Sequence, residues 1–273
     1  LLVFFAVGNA LVFDYLEKHN ERSSFGLLRV WGSVGFAIIS FLAGTFLVES
    51  LLDTLPIFHA AFMVLVAILT FFLPAAESDD ESNWIEGLRL LPERPPLALF
   101  LLGTILIGGP LITGVQYLSI YMGDLGAPGW LIGLAISSMA ILEIPFMRWS
   151  PCLMERFKIS RLLLIGVLLL PLRWALLAII REPLLILPVQ ILHSIALVTM
   201  MVVAATYMDR QLPPRWRATG QGLLTTAVLG LGPSAGQFVA GVISDAYSLR
   251  TVWWGAMGVT VVGMGLMALA LKQ

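Results

Sequence analysis

Apolar residues in this chain come in long blocks, and polar residues are largely confined to the stretches between them. The blocks lie near residues 1–16, 30–48, 55–74, 97–122, 130–149, 161–180, 184–206, 218–243 and 251–271. A helix crossing the roughly 30 Å hydrocarbon core of a bilayer needs about 20 apolar residues. The pattern therefore predicts nine membrane-spanning helices and an all-α polytopic membrane protein. The first block falls short of that length. The chain opens on Leu1-Leu2-Val3-Phe4-Phe5, with no initiator Met and no positive stretch before it, so the expectation is a start inside a helix rather than a signal peptide.

The connections between blocks differ sharply in Lys and Arg. Alternate ones hold Lys18, Arg22, Arg29, Arg89, Arg94, Arg148, Arg156, Lys158, Arg161, Arg210, Arg215, Arg217 and Lys272, thirteen in all. The opposite set holds only Arg181 and Arg250, while Arg173 falls inside a block. By the positive-inside rule the first set is cytoplasmic, and the C-terminus with it. The longest polar connection, residues 77–96, carries the acidic run Glu77, Asp79, Asp80 and Glu81 and the prolines Pro92, Pro95 and Pro96. Three blocks precede it and six follow. Many secondary transporters are built from two six-helix halves. The expected division is 1–76 as the remainder of an N-terminal half (helices 4–6), 77–96 as a central cytoplasmic loop, and 97–273 as a C-terminal half (helices 7–12). On that reading nine of twelve helices are present.

Composition sharpens this picture by exclusion. Of 273 residues 59% are hydrophobic and 12% charged, with mean hydropathy +0.93. Water-soluble domains carry about twice that share of charge. A nucleic-acid binder, a disordered chain and a secreted disulfide scaffold are thereby excluded. Cys152 is the only cysteine, and His19, His59 and His193 match no metal-ligand spacing, so no metal or cofactor is expected.

Charged groups at mid-bilayer are costly, and they commonly face a cavity or a partner. Glu143, Arg173 and His193 lie roughly 20, 18 and 14 Å into their blocks at about 1.5 Å per residue. They come from three consecutive helices and make a candidate shared cavity, the alternative being a structural ion pair of Glu143 with Arg173. Each has a proline nearby: Pro145, Pro171 and Pro188. Arg29, Ser33 and Phe36 fall at i, i+4 and i+7 on one helix face. Asn9, Gln116, Tyr117, Gln190 and Gln221 are further polar groups within blocks, each equally explained as helix-packing contacts. Gly232-Pro-Ser-Ala-Gly236 spells a hydrolase G-x-S-x-G. It lacks the strand and Asp/His context of that motif and equally spells a small-residue packing face. No enzymatic activity is expected.

Phe25-Gly-Leu-Leu-Arg-Val-Trp-Gly-Ser-Val-Gly-Phe36 resembles the fifth-helix signature of major facilitator superfamily transporters. The branch is the one containing lactose permease, 3-phenylpropionate transporters and nucleoside/proton symporters. The stretch keeps the second Arg of that signature as Arg29 and replaces the first with Leu27. Glu143-Ile-Pro-Phe-Met resembles the branch's eighth helix, Arg173-Trp174 its ninth and Val189-Gln-Ile-Leu-His193 its tenth. Arg217-Ala-Thr-Gly-Gln-Gly-Leu-Leu224 is similar to the start of its eleventh. Leu153 to Arg161 resembles the cytoplasmic gating loop, with Glu155, Arg156 and Arg161 in its charged positions and Lys158 in place of its Gly; a basic anchoring turn explains the same residues.

The resemblance implies a major facilitator fold. It further implies substrate contacts from Arg29, Phe36, Arg173 and His193, with proton coupling through Glu143 and His193; Ser33, Gln116, Tyr117 and Gln190 join the candidate substrate contacts from their places within the blocks. Gln190 stands where lactose permease has a lysine, Ala196 where it has a proton-carrying glutamate, and Asn9 in place of a fourth-helix acid. The expected function is transport of a small organic solute (aromatic acid, sugar or nucleoside type) by alternating access in a bacterial cytoplasmic membrane. Proton symport is the expected mode, with a proton-independent facilitator or a non-transporting receptor as alternatives. The expected partners are the solute, the proton and the lipid bilayer, with no nucleic acid.

Overall fold

The structure, a computed structural model, describes residues 25–47, 52–72, 92–213 and 216–272. The first apolar block, Asn9 and most of the 77–96 connection lie outside these residues. Among the described residues the regular structure is entirely helical. Helix α1 (Phe25–Leu42) runs into a π turn, Ala43–Leu47, and α2 (Leu55–Thr70) follows a 3-10 turn, Leu52–Thr54. Then come α3 (Pro95–Asp124), α4 (Gly129–Arg156) and α5 (Ile159–Ile179). A continuous rod joins a 3-10 turn (Pro183–Leu185), α6 (Ile186–Val198), a π turn (Thr199–Val203) and α7 (Ala204–Gln211). A second rod joins α8 (Arg217–Thr225), a π turn (Thr226–Leu231) and α9 (Gly232–Ala246), and α10 (Leu249–Ala270) ends the bundle.

Six of these stretches are long and apolar enough to span a membrane: Pro95–Asp124, Gly129–Arg156, Ile159–Ile179, Pro183–Gln211, Thr219–Ala246 and Leu249–Ala270. Two shorter apolar helices, Trp31–Phe46 and Pro56–Leu69, match the second and third blocks. Local chemistry fixes the ends. Pro95 and Pro96 open α3, where their missing N–H groups would be unpaired anyway. Gly126, at φ +78°, reverses the chain into α4, a conformation side chains with a Cβ disfavour. Ser248 caps α10 by accepting from the Thr251 N–H at 3.3 Å. Pro233, lacking an N–H, follows directly on the π turn before α9, a local widening that fits its position.

Helix α3 forms the floor of the bundle, with α9 and α10 packed on it. Helix α5 packs on α10 and α6, and α4 packs on α6 and α1. Consecutive helices α4 and α5 thus barely touch, because α6 lies between them. The closest crossings use glycine. A Cβ on Gly44 would stand 2.5 Å from the Gly133 Cα, and one on Gly232 would stand 2.8 Å from the Gly109 N. At the first crossing the Ser137 hydroxyl also donates to the Ala37 carbonyl at 2.7 Å.

The core is formed by side chains such as Phe100, Ile107, Leu111, Leu118, Leu163, Leu170 and Leu177. On α5 the opposite face, Ile165, Leu168 and Leu172, is equally apolar and exposed. A helix with no polar face belongs in lipid or between helices. The chain is an integral membrane protein.

Candidate functional site

Helices α5 and α6 bring Arg173, Gln190 and His193 together in the bundle interior, where Arg173 and Gln190 are 0% exposed and His193 is 2%. Arg173 Nη2 donates to Gln190 Oε1 at 3.3 Å, and Gln190 Nε2 donates in turn to the Ile186 carbonyl at 2.8 Å. The Arg173 guanidinium also lies over the Trp174 ring, 4.3 Å from its centroid. This stacking offsets about 2 kcal/mol of the cost of burying the charge. His193 follows Gln190 by three positions on α6, one turn along the same helix face. Three nitrogens remain without a hydrogen-bond partner: Arg173 Nε, Arg173 Nη1 and His193 Nδ1. Native interiors leave few such groups orphaned, and orphans are where a guest is expected.

An aromatic stack fixes the arginine. Trp174 lies parallel to Trp253 of α10, with centroids 5.7 Å apart and planes at 3°, and its Nε1 donates to Thr260 Oγ1 at 3.1 Å. Tyr121 of α3 meets Trp253 edge-on at 5.6 Å and donates through its hydroxyl to the Ile180 carbonyl at 2.9 Å. Gly114 makes room, since a Cβ there would run into the Trp174 ring. None of these partners is visible in the sequence, because Trp174 and Thr260 lie 86 positions apart. The nearest signal is the pairing of Arg173 with Trp174.

Glu143 is half-buried on α4. Ser194 of α6 donates to the Met139 carbonyl at 2.8 Å, which sets the register of the two helices. They run in the same direction, because α5 separates them in the chain and runs antiparallel to both, so Glu143 stands one turn, about 6 Å, beyond Ser194. Its level is that of the Thr199–Val203 π turn, which α4 also contacts. Arg173 donates its side-chain hydrogen bond to Gln190, not to Glu143, so the ion-pair alternative is not formed here.

The other candidates are dispersed. Arg29 lies on α1 with its side chain outside the described set, Ser33 is half-buried and Phe36 is exposed. Gln116 is exposed, whereas its neighbour Tyr117 lines a cavity of about 230 Å³ between α3, α9 and α10. Arg173, Gln190 and His193 are not part of that lining. Glu155, Arg156 and Arg161 are exposed around the α4–α5 turn. Gln221 ties α8 to α7 through Asp209 Oδ1 at 2.8 Å and the Ala205 carbonyl at 2.9 Å. The glycines of the G-x-S-x-G stretch serve packing within the chain: Gly232 and Gly236 both lie against Gly109 of α3. Among the described residues no group of three His, Cys, Asp or Glu could hold a metal.

The model of the MFS_1 like family matches residues 2–254. The chain belongs to that family. It is 28% identical to the maltose permease of Geobacillus stearothermophilus over 93% of its own length and 65% of that protein. It is 25% identical to the xanthosine permease of Escherichia coli (strain K12) over 91% of its length and 66% of the relative. The chain therefore spans just under two thirds of the length of these relatives. The crystal structure of the nucleoside transporter NupG superposes with a TM-score of 0.77 at 20% identity, covering 97% of this chain and 72% of that one. That likeness establishes the major facilitator fold.

Proposed function

We propose that the protein is a secondary transporter that moves a small hydroxylated solute, of sugar or nucleoside type, by alternating access with proton symport. Residues 1–76 and 97–273 belong to two halves joined by 77–96, and a solute site lies between them. Family membership supports transport, and the relatives named for maltose, nucleosides and xanthosine support the solute class. The observation that carries the reading is Arg173: a fully buried guanidinium with two N–H groups unclaimed by the protein.

Solute hydroxyl oxygens accept from Nε and Nη1, and each charge-assisted bond formed away from water contributes about 1.5–3 kcal/mol. His193 Nδ1 offers a further polar contact. Glu143, one turn beyond Ser194, carries the proton, since a protonated carboxyl crosses the low-dielectric interior without the cost of a moving charge. The exposed charges at Glu155, Arg156 and Arg161 sit at the cytoplasmic gate.

Proteoliposomes tested with maltose, disaccharide analogues and nucleosides, with external pH recorded, examine this directly. Alkalinisation on adding one solute, abolished in Glu143→Gln, is the expected result. A specific observation favours a facilitator as the second reading: Ala196, fully buried, stands where the resemblance places a proton-carrying acid. Labelled solute entering with no pH change, equally in wild type and Glu143→Gln, would establish that reading instead.

A further inference from the structure

The cavity lined by Tyr117 differs in chemistry from the Arg173 cluster. Its floor is α3 at Gly109, Pro110, Thr113 and Gly114, and its walls are α9 and α10. Both walls pack much more closely on α3 than on each other, so the mouth opens between α9 and α10. Val239 and Val259 line the groove, and both are exposed. From Gly232 to Ile243 the wall runs eleven helical rises, roughly 16 Å at 1.5 Å per residue. That is close to half of a hydrocarbon core about 30 Å thick.

Polarity is graded along the groove. Apart from the hydroxyls of Thr113 and Tyr117, its middle is lined by glycine, alanine, valine and isoleucine, which give a sugar or nucleoside little to bond. At the α9–α10 end stands Trp253, whose buried Nε1 has no acceptor in the protein. Three residues earlier, and so on the same helix face, is Arg250, whose buried Nε is likewise unpartnered. Exposed Tyr247 and Trp254 flank this end. Exposed aromatics of this kind mark the headgroup level of a bilayer.

We propose that this groove binds one phospholipid of the surrounding leaflet. An acyl chain lies along α3, the ester region sits at the level of Trp253, and the phosphate faces Arg250. The occupant is fixed by the order of the three chemistries: apolar length matching one leaflet, an unclaimed donor at ester depth, and a cation at phosphate depth.

Native mass spectrometry of the detergent-purified chain, titrated with phosphatidylglycerol, tests this. Wild type is expected to retain one lipid. Arg250→Gln should lower the retained fraction at least fivefold through the headgroup, and Ala256→Phe should lower it similarly by filling the groove. Trp253→Phe keeps an aromatic ring while removing the N–H and is expected to weaken retention less. Should Ala256→Phe fail to fold, Arg250→Gln at the helix end still decides the matter. Arg173→Met is expected to leave retention unchanged, so loss of transport and loss of lipid are read separately. Equal retention in wild type, Arg250→Gln and Ala256→Phe would overturn the proposal. So would displacement of the lipid by maltose or a nucleoside, which would make the groove part of the solute path.

Discussion

Replacing Arg173 with Met separates the stability of the bundle from its function. In the structure the guanidinium has one hydrogen bond, 3.3 Å to Gln190 Oε1, and one ring face, Trp174 at 4.3 Å. Nε and Nη1 are buried and unpaired. Each orphaned polar group costs about 1–3 kcal/mol, so the substitution relieves about 2–6 kcal/mol and orphans one acceptor on Gln190 at about 1–3 kcal/mol. Methionine fills much of the arginine volume with a flexible apolar chain, so little cavity cost is added. The Trp174 ring contact, about 2 kcal/mol, is lost as well, so the net expectation is close to zero. At about 2–4 °C per kcal/mol for a chain of this size, the melting temperature stays within a few degrees of wild type. Thermal unfolding in detergent, followed by circular dichroism, measures the shift, and solute uptake in proteoliposomes is expected to vanish in the same variant. A melting temperature lowered by several degrees would refute the reasoning, since it would mean that Arg173 is compensated by a group not counted among its partners. Uptake at wild-type level would remove Arg173 from the solute site.

The same packing makes two further expectations quantitative. Gly133→Leu puts a Cβ within 3.0 Å of the Phe41 and Ser40 carbonyl oxygens, so α1 must move off α4 at a cost of about 1–3 kcal/mol. Disulfide trapping between cysteines introduced at 37 and 137, in a Cys152→Ser background, should become slower; an unchanged rate would show that glycine does not set this crossing. Trp174→Phe removes the 3.1 Å bond to Thr260 and should cost about 1 kcal/mol. In a double-mutant cycle with Thr260→Val the two losses should not add, and full additivity would mean that the bond contributes nothing.

The candidate site was only partly legible before the structure. Arg173, Gln190 and His193 drew notice because polar groups in apolar blocks are costly, and the fold brings these three together. Gln116 and Tyr117 drew notice for the same reason, yet adjacent residues on a helix point about 100° apart, and only Tyr117 reaches the α3–α9–α10 cavity. The Trp174–Trp253–Tyr121 stack was invisible because its members come from three helices far apart in the chain. The order of blocks did not show that α6 packs between α4 and α5.

What the sequence settled by itself was the class of environment. Unbroken apolar blocks admit only helices in a membrane, because backbone polar groups in lipid must be paired within the segment. The spacing of Gly232 and Gly236 spelled a small-residue packing face. The partner in that contact was left to the tertiary structure, and it is Gly109 of α3. Tertiary structure likewise decided that Arg173 leans on Gln190 and Trp174 instead of Glu143. Periodicity records which face of a helix is apolar or small; in a bundle whose every face is apolar, only the three-dimensional packing selects the neighbour that each face meets.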